Sequence, residues 1–212
     1  MKRLLFLFIL VMSIFTPSNA TNNSKKEIND NIYKLYSEIK NYWVSNNFLN
    51  KKKPPQLIIT DKNATVIGGC LDENKNETTK VLLSHFCRAT NTIFITREHI
   101  DMLHKRYGIQ GVLFLTAHEL GHSLQYGFSS KLKNPARELQ AYCFGSRLTK
   151  FYGPSMSEEE KVDFSEMFIA WDNEIHGSGI ERTNAIKMGL GLSKGDCLDE
   201  EIMGIISEKA KD

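Results

Sequence analysis

The sequence predicts an α+β fold that is mostly helical and contains a small β-sheet. Three observations support this prediction: an early apolar stripe with helical spacing, short β-rich runs after it, and then a long series of helical patterns. The chain has 212 residues, of which 41% are hydrophobic and 25% charged, as is typical of a globular protein. We expect residues 21–212 to form a single domain.

Residues 1–20 have the features of a secretory signal peptide. Lys2 and Arg3 precede an apolar run at 4–15, and Ser18–Ala20 is a small-x-small cleavage signal. The apolar run is too short to span a membrane and remain there. We therefore expect an exported protein, periplasmic or secreted, with no stable membrane anchor after cleavage.

The first helix is predicted over residues 26–48, where apolar residues recur at helical spacing. These residues are Ile28, Ile32, Leu35, Tyr36, Ile39 and Trp43. The β-rich runs PPQLIIT (54–60) and NTIFIT (91–96) predict two strands, and NATVIGG (63–69) predicts a weaker one.

Helical patterns fill the chain after the strands. A helix over Arg97–Tyr107 should end at the glycine that follows it, and the next, over Gln110–Tyr126, should end at the following glycine in the same way. Another helix should begin with Asn134 as its cap and Pro135 at its first position. Two or three shorter helices should follow, one of them starting at the acidic run Glu158–Glu160.

The charge balance gives no reason to expect binding to nucleic acid or to an anionic membrane. The formal net charge is +2, and the predicted signal peptide carries two basic residues and no acidic ones, so the remainder is close to neutral. The basic cluster NKKKPP at 50–55 is typical of a solvated loop.

Four cysteines follow the predicted cleavage point: Cys70, Cys87, Cys143 and Cys197. In an exported protein an even number of cysteines predicts disulfides. Three pairings are possible, and buried free thiols are the alternative.

The segment FLTAHELGHSLQYG (114–127) contains the pattern H-E-x-x-H. His118 and His122 lie four residues apart on the predicted helix, so both imidazoles can bind one ion from the same face. Glu119 is rotated about 100° from His118 and can reach a metal-bound water without binding the metal. The pattern predicts a zinc site, and two histidines on a helix surface are the alternative.

A catalytic zinc site needs a third protein ligand besides an open position. A third histidine at the position used in one common pattern is excluded, because Phe128 stands there. Glu138 lies about one turn into the following helix, so an antiparallel helical hairpin would bring it level with His122. The alternative for Glu138 is an acid that suits the dipole of its helix.

The segments AHELGHSLQ (117–125) and RELQAYCFG (137–145) resemble the paired signature of a bacterial family of neutral zinc metallopeptidases. That signature reads A-H-E-x-G-H-x-x-Q and then E-L-Q-A-D-C. Further pieces resemble the family in the same order: TIFIT (92–96), LHKRYG (103–108), HGSGIER (176–182) and MGLGLSKGDC (188–197). The resemblance covers about residues 70–200.

The resemblance implies a zincin-like fold, one Zn²⁺ held by His118, His122 and Glu138, and Glu119 as the general base. On this interpretation the chain is an exported peptidase that hydrolyses peptide or protein substrates with a zinc-activated water. His176 is a candidate for a second donor to the oxyanion that forms, and the alternative for this glycine-flanked loop histidine is a structural or surface position. The resemblance also implies the disulfide pairs Cys70–Cys87 and Cys143–Cys197.

Other residues near these motifs have lesser expected roles. We expect Arg182 to lie behind His176. Tyr126 and Tyr142 are weaker candidates for the donor to the oxyanion. The remaining histidines of the sequence's first half are expected to be structural: His85, His99 and His104.

Tyr142 departs from the family pattern, which has aspartate at this position. Spaced four residues from Glu138, it should face the metal, where an aspartate would orient a ligand histidine. A phenol accepts a hydrogen bond but carries no charge at neutral pH. This departure favours an alternative function, a non-catalytic exported binding module with a weak or structural zinc site. A zinc-scavenging protein fits less well, because three dispersed ligands with an open position suit catalysis better than storage.

Overall fold

The computed structural model describes residues 18–45, 53–67, 70, 78–128, 130–169 and 174–199. The apolar core of the predicted signal peptide lies outside these residues. In the described part of the chain, no helix is both long enough and apolar enough to cross a membrane.

The architecture is α+β and mostly helical, as predicted. The described helices are α1 (Ser18–Ser45), α2 (Arg97–Phe128), α3 (Ala136–Tyr152), α4 (Glu158–Glu166) and α5 (Gly179–Leu190). The described strands are β1 (Gln56–Thr60), β2 (Thr65–Ile67), β3 (Thr78–Lys80), β4 (His85–Cys87) and β5 (Thr92–Thr96).

Helix α1 buries the stripe that predicted it. Ile28, Ile32, Leu35, Ile39 and Trp43 are all buried, and the first four belong to a core that α2 and β5 share. The helix begins at Ser18, earlier than predicted, and the predicted end at residue 48 lies outside the described residues.

Strand β5 is the centre of a three-stranded mixed sheet. It pairs with β1 in parallel and with β4 in antiparallel orientation, and all five of its residues are buried. The strand order β1-β5-β4 makes β4 an edge of this sheet. Strands β2 and β3 form a separate antiparallel pair. The sequence predicted β1, β2 and β5 but missed β3 and β4, whose three residues each (TTK and HFC) lack the run of β-branched and aliphatic residues that marked the other strands.

Helix α2 contains a break at the predicted position. Gly108 has φ 63° and ψ −159°, so the helical segments before and after it meet at a kink. The second segment continues to Phe128, beyond the predicted stop at Gly127.

Helix α3 begins later than predicted, because Asn134 does not cap it. Pro135 occupies the N-cap position with a helical backbone conformation, and no side chain caps the helix. Glu138 therefore lies in the first turn. Two further helices follow within the described residues, and α4 starts at Glu158 behind a Ser157 capping box, as the acidic run predicted.

Helices α2 and α3 cross with their backbones in contact at two glycines. A Cβ atom on Gly121 would lie 2.8 Å from the carbonyl oxygen of Ala141, and one on Gly145 would lie 2.9 Å from the amide nitrogen of His118. Both distances are shorter than a carbon atom tolerates, so a larger residue would separate the helices. The crossing holds the turn with H-E-x-x-H directly against the first turns of α3.

Two disulfides are present, with the pairing that the resemblance implied. Cys70–Cys87 joins the segment after β2 to the edge strand β4. Cys143–Cys197 joins α3 to the segment after α5, with both residues fully buried. The described residues include no free cysteine.

Candidate metal centre

The antiparallel pair of α2 and α3 brings the three predicted ligands together. Oε2 of Glu138 lies 3.1 Å from Nε2 of His122 and 3.5 Å from Nε2 of His118. One ligand atom from each residue can be chosen so that all three lie within 4.8 Å of one another, which suits a single metal ion. His118 and Glu138 are buried, and His122 is nearly so.

The third histidine at this centre is His176. Its Nε2 lies 3.6 Å from the same oxygen of Glu138, and its side chain is 39% exposed. It stands just before α5, whose capping box of Ser178 and Glu181 fixes the start of the helix. The structure therefore places the predicted oxyanion donor beside the ligands, open to solvent.

Gln125 determines which nitrogen of His122 faces the centre. The side-chain amide of Gln125 donates to the carbonyl of Arg137 and to Oε1 of Gln140, so its own oxygen is left to accept. Nδ1 of His122 lies 2.8 Å from that oxygen and must be the donor. In a neutral ring the Nε2 lone pair then points at Glu138. Two acceptors 3.1 Å apart repel unless a proton or a metal ion lies between them.

The ring of His118 has no such support from a hydrogen bond. Its Nδ1 is buried without a hydrogen-bond partner. The ring packs against Tyr142, with ring centroids 4.5 Å apart, and more loosely against Phe114. Tyr142 thus contacts a candidate ligand histidine, but its hydroxyl does not accept the hydrogen bond that an aspartate could.

Burial and mutual hydrogen bonds shift the pKa values of His118, His122 and Glu138 in different directions. Burial lowers the pKa of His118 to about 4, although the hydrogen bond to Glu138 opposes this. For His122 burial also favours the neutral ring, but the hydrogen bond and charge of Glu138 outweigh it, and the pKa is raised. Burial disfavours the ionised form of Glu138, yet the hydrogen bonds to both histidines hold its pKa far below the usual range. Without a metal, the proton between the acceptors belongs to His122.

Glu119 lies beside the ligand cluster but not in it. Burial raises the pKa of its carboxyl to about 7, with a smaller contribution from the charge of Glu138. The backbone N–H of Phe86 in β4 donates to it and acts in the opposite direction. A buried carboxyl with a pKa near neutrality can accept and release a proton near neutral pH.

Arg182 holds the segment that carries His176. Its guanidinium donates Nη1–H to the carbonyl of Gly177 at 2.7 Å and Nη2–H to that of Phe168 at 3.0 Å. The residue is 2% exposed, so it cannot reach a substrate. Arg182 therefore supports the segment of His176, behind which it was expected to lie.

The centre opens into a groove with a volume of about 720 Å³, within the range of small-ligand and peptide sites. One wall is formed by Ser84–Phe86 and Arg88 around the edge strand β4, and the other by α2, α3 and His176. Tyr126 lines the same groove from helix α2.

The remaining histidines have the structural surroundings that were expected, with one addition. His99 accepts hydrogen bonds from Ser84 at the start of α2. His85 contacts the Leu83 carbonyl and the sulfur of Cys70, but it also lines the groove. His104 lies on the first segment of α2 and does not line the groove.

The sequence reasoning missed Gln125 and Phe86 as parts of the centre. The glutamine is the last letter of the quoted A-H-E-x-G-H-x-x-Q pattern, which was a usable signal.

Comparison with family models, characterised proteins and solved structures found no match. The resemblance to neutral zinc metallopeptidases therefore rests on the motifs quoted above.

Proposed function

We propose that this chain is an exported zinc-dependent peptidase with a zincin-like fold, related to the neutral zinc metallopeptidases that its motifs resemble. One observation carries the proposal. Two imidazole nitrogens and a carboxylate oxygen converge from His118, His122 and Glu138, while a second buried carboxyl, Glu119, stands beside them without joining them.

The donor set fits zinc. Two neutral imidazoles and one carboxylate form a His₂Glu set, which leaves a fourth tetrahedral position open. The orientation of His122 by Gln125 is the support that metal-binding histidines usually have through their second nitrogen. When bound, zinc would supply Lewis-acid chemistry that activates a water and polarises a peptide carbonyl.

The residues of the chain would divide the remaining work. The carboxylate of Glu119 takes the proton from the attacking water and passes it to the leaving amine. Its raised pKa suits both steps, since it both accepts and releases a proton near neutrality. His176, on the solvent side of Glu138, donates a hydrogen bond to the developing oxyanion.

An extended peptide is the substrate that the groove fits best. In the described part of the chain β4 has a neighbour on one side alone, and its other edge borders the groove. The N–H groups of Ser84 and Phe86 already donate to His99 and Glu119, so an extended peptide would bind this edge through the strand's carbonyl oxygens. A peptide along β4 would pass in front of Glu119, which already bonds the Phe86 backbone.

Export agrees with two further features of the molecule. Two disulfides are typical of proteins outside the cytosol. A signal peptide over residues 1–20 would deliver the chain to the periplasm or the medium.

A second function is favoured by the surroundings of Tyr142. Because the phenol leaves Nδ1 of His118 without a partner, the metal site lacks one supporting hydrogen bond. A weaker site of this kind fits a non-catalytic module that binds peptides in the same groove.

The variant Glu119→Gln separates the two functions. The amide keeps the shape of the side chain but cannot accept a proton, so hydrolysis of a mixed peptide library should fall about 10²–10⁴-fold. Zinc content should stay near that of the unmodified protein. Glu159→Gln, an exposed acid on α4, is the matched control and should change neither quantity. Zinc-loaded protein that cleaves no peptide would favour the binding module instead, and equal rates in Glu119→Gln would exclude Glu119 as the base.

A further inference from the structure

The groove contains two cationic side chains that the proposed mechanism does not use. Its acidic residues, Glu119 and Glu138, are both at the metal centre. The other charged residues that line it are Arg88 and Arg137. With a divalent ion bound, the groove would therefore carry an excess of positive charge and attract anions.

Arg137 is anchored immediately beside the centre. It precedes Glu138, and its Nη2 lies 3.6 Å from Oε1 of that residue, the oxygen away from the histidines. Its backbone carbonyl accepts the hydrogen bond from Gln125, which fixes this turn of α3. The side chain is nevertheless half exposed, so its guanidinium can contact a ligand in the groove.

Arg88 stands at the end of the edge strand, on the opposite wall. Its guanidinium carbon lies 4.7 Å from the centre of the Tyr126 ring, and that ring packs against Phe86 of β4 at 6.2 Å. A guanidinium stacked on a ring keeps its N–H donors in its own plane, where they can bind a carboxylate with two hydrogen bonds.

The positive character continues along the surface next to Arg88. A neighbouring depression shares Arg88 and Tyr126 with the groove and adds Lys53, which is exposed. The described residues that line this depression include no acidic side chain. A peptide that leaves the groove at this end therefore passes a second cation.

We propose that Arg88 and Arg137 form a carboxylate-binding subsite of the groove, so that the preferred peptides are acidic near the bond placed at the metal centre. The effect of this subsite on cleavage rests on the proposed function. The subsite itself can be detected by peptide binding alone. A carboxylate can come from an aspartate or glutamate side chain or from the carboxyl terminus of the peptide. Both have the planar shape that a guanidinium group recognises with two hydrogen bonds.

The test measures peptide binding by zinc-loaded Glu119→Gln protein, which should not turn the peptides over. Three fluorescent peptides of equal length are compared by anisotropy at low ionic strength: a neutral one with an amidated end, one with a single glutamate and an amidated end, and a neutral one with a free carboxylate. One or both anionic peptides should bind about 5-fold tighter than the neutral one, the worth of a partly exposed ion pair. The peptide that does so identifies the source of the carboxylate.

The arginines are then replaced in the same protein. Arg88→Gln and Arg137→Gln should each remove most of the preference, whereas Arg106→Gln, an exposed arginine on α2 that does not line the groove, should preserve it. Equal binding of the three peptides, or no binding of any, would overturn the inference. A preference that both groove variants retain would also overturn it, because it would mean that the carboxylate binds the zinc directly.

Failure of the proposed function gives a different result. Protein without Glu119→Gln that binds acidic peptides through the arginines but hydrolyses none would leave this subsite standing and exclude the peptidase. Protein that cleaves neutral and acidic peptides at equal rates would do the reverse.

Discussion

Nδ1–H of His122 donates a hydrogen bond to Oε1 of Gln125 across 2.8 Å, and this bond directs the other nitrogen of the ring at Glu138. Replacing Gln125 by methionine keeps the volume of the side chain and removes the acceptor. We expect Gln125→Met to weaken zinc binding about 10–100-fold. Competition with a fluorescent chelator measures this, and thermal unfolding of the metal-free protein serves as the control for folding. Unchanged zinc affinity in a folded variant would show that the ring orientation has another cause.

The ligand set predicts about one zinc ion per chain, lost on dialysis against a chelator. His118→Ala and Glu138→Ala should each abolish retention, because each removes one of the three converging atoms. His104→Ala, on the same helix but outside the groove, is the matched control and should retain the metal. Elemental analysis of purified protein gives the stoichiometry. Full retention in Glu138→Ala would mean that another residue is the third ligand.

The raised pKa of Glu119 predicts how metal-free stability depends on pH. Its carboxyl titrates at about 7 in the folded protein and near 4.5 when unfolded, so the folded state favours the protonated form. This contribution to the free energy of unfolding is complete below about pH 4.5 and is lost as the pH rises through 7. Between these limits, protein with Glu119 should lose on the order of 3 kcal/mol relative to Glu119→Gln. Urea unfolding in the presence of chelator at pH 5 and pH 8 measures this difference. A constant difference between the two proteins would contradict the burial of an ionisable carboxyl.

The contact between Tyr142 and His118 predicts opposite changes in two quantities. Tyr142→Asp would offer an acceptor to the unpartnered Nδ1–H of His118 and should raise zinc affinity by up to about 10-fold. It would also remove a ring packed against Phe114 and Phe168, so metal-free protein should lose about 3–5 kcal/mol of stability. Tyr142→Phe keeps the ring and is the control, expected to leave the affinity unchanged. Weaker zinc binding in a folded Tyr142→Asp protein would assign the support of His118 to the ring itself.

The two disulfides should differ in their contribution to stability. In the loop-entropy model, the 54-residue separation of Cys143–Cys197 corresponds to about 4 kcal/mol and the 17-residue separation of Cys70–Cys87 to about 3 kcal/mol. Double serine variants of each pair, compared by thermal unfolding, should follow this order. Peptide mapping of the oxidised protein checks the pairing, and a link between Cys87 and Cys143 would contradict it.

The convergence of the three candidate ligands was predictable because it depends on helical periodicity. Four-residue spacing places His118 and His122 on one face, and the short connection to α3 requires an antiparallel partner, so Glu138 had few other places to lie. The convergence of three side chains from sequence positions 118–138 follows from these two rules.

The features that the sequence did not predict depend on contacts that no local sequence pattern indicates. Strand β4 has three residues, and it exists because it pairs with β5, a relationship that no local pattern records. The cap of α3 was predicted at Asn134 because its side chain suits that role, but the turn formed by Asn134 and Pro135 places the start of the helix later. Arg182 was expected behind His176, but its two hydrogen bonds to the carbonyls of Gly177 and Phe168 were not predictable, because Phe168 lies 14 residues away in the chain.

The glycines at the crossing of α2 and α3 have a consequence for how this chain tolerates variation. Neither Gly121 nor Gly145 is a candidate ligand, yet each lies against the backbone of the opposite helix. Gly121 contacts α3, which carries Glu138, and Gly145 contacts α2, which carries both histidines. Alanine at either position would move Glu138 away from the histidines without altering a single donor atom. In a saturation library selected for zinc retention, these two glycines should therefore be as depleted of substitutions as the three ligands, and a profile of tolerated residues would show five invariant columns where the coordination chemistry accounts for three.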